Sequence, residues 1–90
     1  MSSEEEVRPR RAPATVKRTG AYWVLVPDAS VDVAVVNAMG HHVFQQCDGS
    51  RSTTSIAQEI SDVTGADVMI VRSDVDAFLT RLESAGLVIR

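Results

Sequence analysis

The spacing of the apolar residues changes at Asn37, and no other feature of the sequence constrains the fold as strongly. In residues 31–36 valine recurs at alternate positions, which is the period of a half-buried β-strand. After Asn37 the apolar residues recur at the spacing of one face of a helix, as in Met39, Val43, Phe44 and Cys47. The chain is therefore expected to begin with strands and to end with helices.

Two further extended segments precede residues 31–36. Residues 21–26 are rich in the β-branched and aromatic residues that strands favour, and residues 15–18 form a weaker candidate. The sequence Pro27-Asp28-Ala29-Ser30 is typical of a turn, because proline fixes φ and aspartate can bond the backbone ahead of it. Together the three segments predict an antiparallel meander, whose two edge strands leave main-chain groups unpaired.

Three helices are expected after the meander, because capping residues and glycines mark their ends. The last two are joined by Thr64-Gly65-Ala66 and could form a helix-turn-helix pair. The predicted fold is α+β and winged-helix-like, a three-stranded antiparallel sheet followed by three helices (β-β-β-α-α-α). The expected helix starts are Asn37, Thr53 or Thr54, and Asp67, and the expected stops are Gly49, Gly65 and Gly86.

The 90 residues allow one domain. Residues 1–13 combine serine, glutamate, arginine and two prolines with few apolar side chains, so they cannot offset the entropy of ordering. We expect a disordered tail over residues 1–13 and a folded domain over residues 14–90.

Several environments are disfavoured by simple counts. A single cysteine, Cys47, permits no intrachain disulfide. No apolar run approaches the roughly 18 residues of a membrane span, and the acidic N-terminus lacks the apolar core of a signal peptide. A cytoplasmic protein without membrane contact is therefore expected.

Side chains that could carry chemistry are few and poorly spaced. His41 and His42 are adjacent, so on a helix they point about 100° apart and cannot share one metal ion. Cys47 falls on the apolar stripe of the first helix, where burial favours a small hydrophobic residue over a nucleophile. The carboxylates of the last helix have no apolar pocket that would suit acid–base catalysis. We expect no enzyme activity and no metal.

Charge disfavours a nucleic-acid partner. Net charge is −3, and residues 21–90 hold nine acidic and four basic residues. The last helix carries Arg72 and Arg81 against three carboxylates, whereas a helix that docks on DNA needs to neutralise phosphates. A winged-helix DNA-binding transcriptional regulator remains the alternative function that the helix-turn-helix pair suggests.

Surface features favour a peptide partner instead. Residues 31–36 are a candidate edge strand, and an edge strand can accept an extended peptide through main-chain hydrogen bonds. On the last helix Leu79 lies beside Arg72 and Asp76, just off the main apolar stripe. An apolar residue on a mixed-charge flank suits a peptide groove, although the same spacing also allows Leu79 to widen the core stripe.

Several short motifs, in their order and spacing, resemble the PqqD-like family. They are a hydrophobic residue and Asn opening the first helix (Val36-Asn37), Cys47-Asp48-Gly49 at its end, a Thr-capped helix with Ile56, and the closing pattern Phe-Leu-x-x-Leu-x-x-x-Gly-Leu from Phe78 to Leu87. The resemblance runs from about Ala14 to the end of the chain. Val36 stands where the family often has Leu, and Phe44 where it often has Trp. These departures leave the pathway open, with pyrroloquinoline quinone biosynthesis one of several peptide systems.

The resemblance implies a recognition element for ribosomally synthesised, post-translationally modified peptides (RiPPs). Such a domain binds the leader segment of a precursor peptide as an added strand, between its third strand and third helix, and presents it to a modifying enzyme, often a radical-SAM protein. It holds no cofactor. An unpaired edge strand also permits a homodimer. Carried onto this sequence, the expected peptide-binding residues are Val31, Asp32, Val33, Ala34, Val35, Arg72, Val75, Asp76 and Leu79.

Overall fold

The computed structural model describes residues 7–90 and has the expected α+β architecture. A three-stranded antiparallel sheet of order β2-β3-β4 precedes three helices, and a second, two-stranded sheet pairs β1 with β5. Within the described part of the chain, no helix is long and apolar enough to cross a membrane. The elements are β1 (Arg10–Arg11), β2 (Ala14–Thr19), β3 (Tyr22–Pro27), β4 (Ala34–Val36), α1 (Ala38–Gln46), α2 (Thr53–Thr64), α3 (Val68–Ser84) and β5 (Val88–Ile89).

Capping residues begin the helices largely where the sequence predicts. The side-chain oxygen of Asn37 accepts a 2.9 Å hydrogen bond from the Gly40 amide, and Asp67 accepts one of 2.8 Å from Met69. The cap of α2 is Ser52, one residue before the predicted Thr53, because the Ser52 hydroxyl accepts from the Ser55 amide at 3.0 Å. Each cap satisfies an amide that the first helical turn leaves unpaired.

The core lies between one face of the sheet and the three helices. Leu25 of β3 pairs with Ala34 of β4, and Trp23 pairs with Val36, so these side chains share the face that the helices cover. The core is almost entirely aliphatic, as expected from a sequence in which aromatics make up 4%. From the helices and the C-terminal segment, the buried apolar residues are Val43, Phe44, Cys47, Ile56, Ala57, Ile60, Val71, Val75, Leu79, Leu82, Leu87 and Val88.

The third strand of the sheet is shorter than predicted. β4 holds only Ala34–Val36, whereas residues 31–33 lie outside it, with Val31 92% and Val33 52% exposed. Its core-facing positions are Ala34 and Val36, so the alternating valines lie on the opposite, solvent-facing side. Ahead of the strand, the Ser30 hydroxyl accepts a 3.0 Å hydrogen bond from the Asp32 amide. This local bond holds the backbone in a turn and competes with a strand ladder.

Residues 7–13, which we call the N-terminal strap, are ordered against the domain. Arg10 pairs with Ile89 in the β1–β5 ladder, and Pro9 is buried. The Gly49 amide donates to the Pro9 carbonyl at 3.0 Å, and the Ala12 amide donates to the Leu87 carbonyl at 2.9 Å. The expectation of a disordered tail is therefore wrong for residues 7–13, since main-chain hydrogen bonds hold a segment with few apolar side chains. The rest of the predicted tail, residues 1–6, lies outside the described residues.

Candidate functional site

An open groove of about 600 Å³ lies between β4 and α3 and extends past the end of β4, where residues of α1 and α2 also line it. β4 is an edge of its sheet, so along its other side no described strand pairs with it. The sheet contributes Tyr22 and Val35 to the groove, and α3 contributes Val71 and Phe78. The family resemblance implies peptide binding at this place, between the third strand of the sheet and the third helix.

A glycine allows the two walls to approach closely. A Cβ at position 40 would stand 2.9 Å from the Cβ of Val36 and 3.1 Å from the Cζ of Phe78. Both distances are shorter than the 3.5–4.0 Å at which carbon atoms normally rest. Gly40, in the first turn of α1, therefore lets the Phe78 ring lie against the floor of the groove beside β4.

The groove exposes apolar side chains to solvent. Tyr22 is 53% exposed, Val35 59% and Met39 45%, and all three line the groove. Contiguous exposed apolar side chains rimmed by polar ones are typical of a binding surface. Here an occupant that covers these side chains would gain the free energy of removing them from water.

Two opposite charges stand on the α3 side of the groove. Asp74 and Arg81 both line it and are both solvent-exposed, and among the described residues neither forms an ion pair. The Arg81 guanidinium lies 5.6 Å from the centre of the Phe78 ring, within the range of a cation–π contact. This contact keeps the positive charge beside the apolar wall, where it is available to an occupant.

The structure divides the sequence-predicted site residues into two groups. Val35 lines the groove, Ala34 is its neighbour in β4, and Val75 also lines it but is only 5% exposed, as part of the core. Val31, Asp32 and Val33 precede β4, so the predicted strand is too long at its start, and peptide contact at these three residues stays a prediction.

The predicted groove residues of α3 are mostly on other faces of the helix. Leu79 is fully buried, so the alternative that it widens the core stripe is confirmed. Arg72 and Asp76 do not line the groove. The Asp76 carboxylate pairs with the Arg90 guanidinium at 2.9 Å, although Arg72 stands i, i+4 from it. The residues that do line the groove from α3, and that sequence analysis did not select, are Asp74, Phe78 and Arg81.

One signal for the groove was available in the sequence. Gly40 lies within the first helix, where glycine costs about 1 kcal/mol relative to alanine, and a close packing contact is one reason for a glycine at such a position. Nothing in the spacing of the α3 residues distinguishes the face that contains Asp74 from the face that contains Asp76.

The titratable groups outside the groove have structural surroundings. Burial raises the pKa of Cys47 to about 11, and its thiol donates to the Val43 carbonyl at 3.2 Å. The predicted buried position of Cys47 is confirmed. The His41 ring stacks on Trp23 with centroids 4.4 Å apart, and burial, followed by the charge of His42, lowers the pKa of His41. Over residues 7–90, no three His, Cys, Asp or Glu side chains come together as a metal site would require.

Comparison with known proteins gives one family and one solved structure. Residues 22–88 match the family model of coenzyme PQQ synthesis protein D (PqqD). A solved structure described as lasso peptide synthetase B1 complexed with the leader peptide has a TM-score of 0.78 and 20% sequence identity, and the match covers 93% of this chain and 100% of that one. At this identity the likeness concerns the fold. No curated protein sequence matches the chain.

Proposed function

Because the chain belongs to the PqqD family, we propose that it binds the leader segment of a ribosomally synthesised precursor peptide in the groove between β4 and α3. The leader lies along the free edge of β4 as an added strand. The domain acts as a binding subunit, not as an enzyme, and presents the leader to a separate modifying enzyme. The radical-SAM enzymes are the partner class that the sequence resemblance implies.

The observation that carries this proposal is the combination of a free strand edge with an exposed apolar wall. Main-chain groups of the edge can bond any extended peptide, and the wall can select its side chains. A protein of the same fold has been solved in complex with a leader peptide, which supports a peptide as the occupant.

The short edge determines how the binding energy is divided. β4 has three residues, and a net contribution of about 1 kcal/mol for each main-chain hydrogen bond falls well short of the roughly 8 kcal/mol of a micromolar complex. Apolar side chains of the leader must therefore supply most of the affinity by covering Tyr22, Val35 and Phe78. Leader binding is accordingly expected to depend on side-chain burial more than on the length of the ladder.

The test is a titration of the isotope-labelled protein with synthetic leader peptides, taken from small open reading frames encoded beside the gene. Amide NMR shifts are expected at Ala34–Val36 and on the groove-lining face of α3. Phe78→Ala should weaken binding at least tenfold. Met69→Ala is the matched control, because Met69 is a large apolar residue of α3, 74% exposed, that does not line the groove.

Three other outcomes would contradict the proposal. Equal effects of Phe78→Ala and Met69→Ala would place the peptide elsewhere. Failure of every neighbouring leader to bind would refute leader capture, and concentration-dependent sedimentation in its place would indicate a homodimer. Binding to duplex DNA that weakens steeply with salt would favour the transcriptional regulator, since release of counterions makes such binding salt-dependent.

A further inference from the structure

The two walls of the groove run in opposite directions. At one end, a Cβ on Gly40, just after β4, would contact both Val36 and Phe78. At the other end, a Cβ on Gly86, just past α3, would stand 3.6 Å from the Cβ of Ser30, which precedes β4. The chain from Ser30 to Gly40 is therefore antiparallel to α3. Along this direction Arg81 lies towards the start of β4, and Asp74 lies beyond its end.

The direction of α3 fixes the order in which an added strand meets the two charges. Antiparallel pairing is the more stable arrangement per residue, and the sheet is already antiparallel. A strand added antiparallel to β4 runs in the same direction as α3, so its N-terminal part passes Asp74 first. It then passes Phe78 and finally Arg81.

The spacing along α3 matches alternate residues of a strand. Asp74 and Phe78 are about 6 Å apart along the helix axis, and Asp74 and Arg81 about 10.5 Å, from a rise of about 1.5 Å per residue. Side chains on one face of a strand recur about every 6.8 Å. If the first side chain on this face of the peptide lies at Asp74, the second lies about 6.8 Å further along, close to Phe78. The third lies about 3 Å beyond Arg81, a difference that the long, flexible Arg81 side chain can span.

We infer that the groove selects leaders by charge order, through a five-residue pattern of a basic residue, any residue, an apolar residue, any residue and an acidic residue, written from the N-terminus. Asp74 pairs with the basic residue, Phe78 covers the apolar one, and Arg81 pairs with the acidic one. The two intervening residues point towards the solvent-facing side of the sheet beside Tyr22 and Val35. This inference rests on the proposed binding of leaders in the groove.

The test compares two fluorescent 13-residue peptides with identical neutral flanks of serine and threonine. One has the core Lys-Val-Val-Val-Glu, and the other has the reversed core Glu-Val-Val-Val-Lys, so that apolar side chains also cover Tyr22 and Val35. The wild-type protein should bind the first roughly tenfold more tightly at low ionic strength, with a smaller ratio as salt screens the exposed pairs. The double variant Asp74→Lys with Arg81→Glu should reverse the preference.

A charge exchange on another face of the same helix provides the control. Arg72→Glu with Asp76→Lys keeps the net charge unchanged in the same way, and neither residue lines the groove, so the wild-type preference should persist. Equal affinity of the two peptides, with NMR shifts at Phe78, would refute the charge order and leave groove binding intact. Reversal of the preference by the Arg72 and Asp76 exchange would also refute it. Absence of binding by both peptides would refute the pattern, while the titration with natural leaders decides separately on the proposed function.

Discussion

Replacing Gly40 with alanine tests the close packing that shapes the groove. Two effects oppose one another. Alanine in a helix is favoured over glycine by about 1 kcal/mol. The new Cβ, however, would lie 2.9 Å from the Cβ of Val36 and 3.1 Å from the ring of Phe78, so these atoms must withdraw by roughly 0.4–0.6 Å to reach normal contact. Over-packing of this kind costs about 1–3 kcal/mol. We expect a net loss of about 1 kcal/mol in the free energy of unfolding.

The same variant should weaken peptide binding. The Cβ of Val36 is attached directly to the β4 backbone, so the Phe78 ring is the group that can move, and its displacement alters the apolar wall. Urea denaturation measures the stability change, and the leader titration measures affinity. The pair His42→Ala and His42→Gly, at an exposed position of α1, gives the helix-propensity term by itself. If Gly40→Ala raised stability by the difference between those two variants and left binding unchanged, the close packing would have no energetic consequence and the reasoning would be refuted.

Three further results are expected. Deleting residues 1–13 should lower the free energy of unfolding, measured by urea denaturation, by about 3–5 kcal/mol, because each main-chain hydrogen bond of the strap contributes about 1 kcal/mol. Arg10→Ala keeps those bonds and should lower the free energy of unfolding by less than about 1 kcal/mol. Equal losses in the two variants would contradict a main-chain role for the strap. With a pKa of about 11, roughly one Cys47 thiol in a thousand is ionised at pH 8, so alkylation should be slow until urea unfolds the protein, and rapid alkylation of the native protein would contradict its burial. The pKa of His41 is lowered in the folded state, so the folded protein favours the neutral imidazole. The stability that His41 contributes is therefore present above pH 6.5 and is lost as the pH falls below that value. The fluorescence of Trp23 should change over the same pH range in the wild-type protein and not in His41→Gln.

The sequence was most informative where local chemistry decides structure. Asn37 and Asp67 begin helices in the structure because their side chains bond the amides of the first turn, and the change of apolar period at Asn37 separates sheet from helices. Each of these capping hydrogen bonds joins residues no more than three positions apart, so it can be predicted from the local sequence. The family resemblance then located the groove between the third strand and the third helix.

Features that depend on residues distant in the sequence were missed. The β1 strand consists of Arg10 and Arg11, which have no strand signature, and it forms because β5 presents partners 79 and 77 positions away along the chain. Sequence periodicity also did not single out Asp74 and Arg81, which line the groove, over Arg72 and Asp76, which do not. Periodicity shows that α3 has an apolar stripe, but which of its flanks faces β4 depends on how the helix packs on the sheet.

The pairing of β1 with β5 also determines when this domain can be completed during its synthesis. Ala12 and Arg11 of the strap are synthesised 75 and 77 residues before their partners Leu87 and Val88. At 5–20 residues per second, about 4–15 s separate the two ends of the pair. During that interval the strap has no ladder to join, and α3 is still incomplete, so the groove has only one wall. The groove can therefore bind an occupant only after α3 has been synthesised.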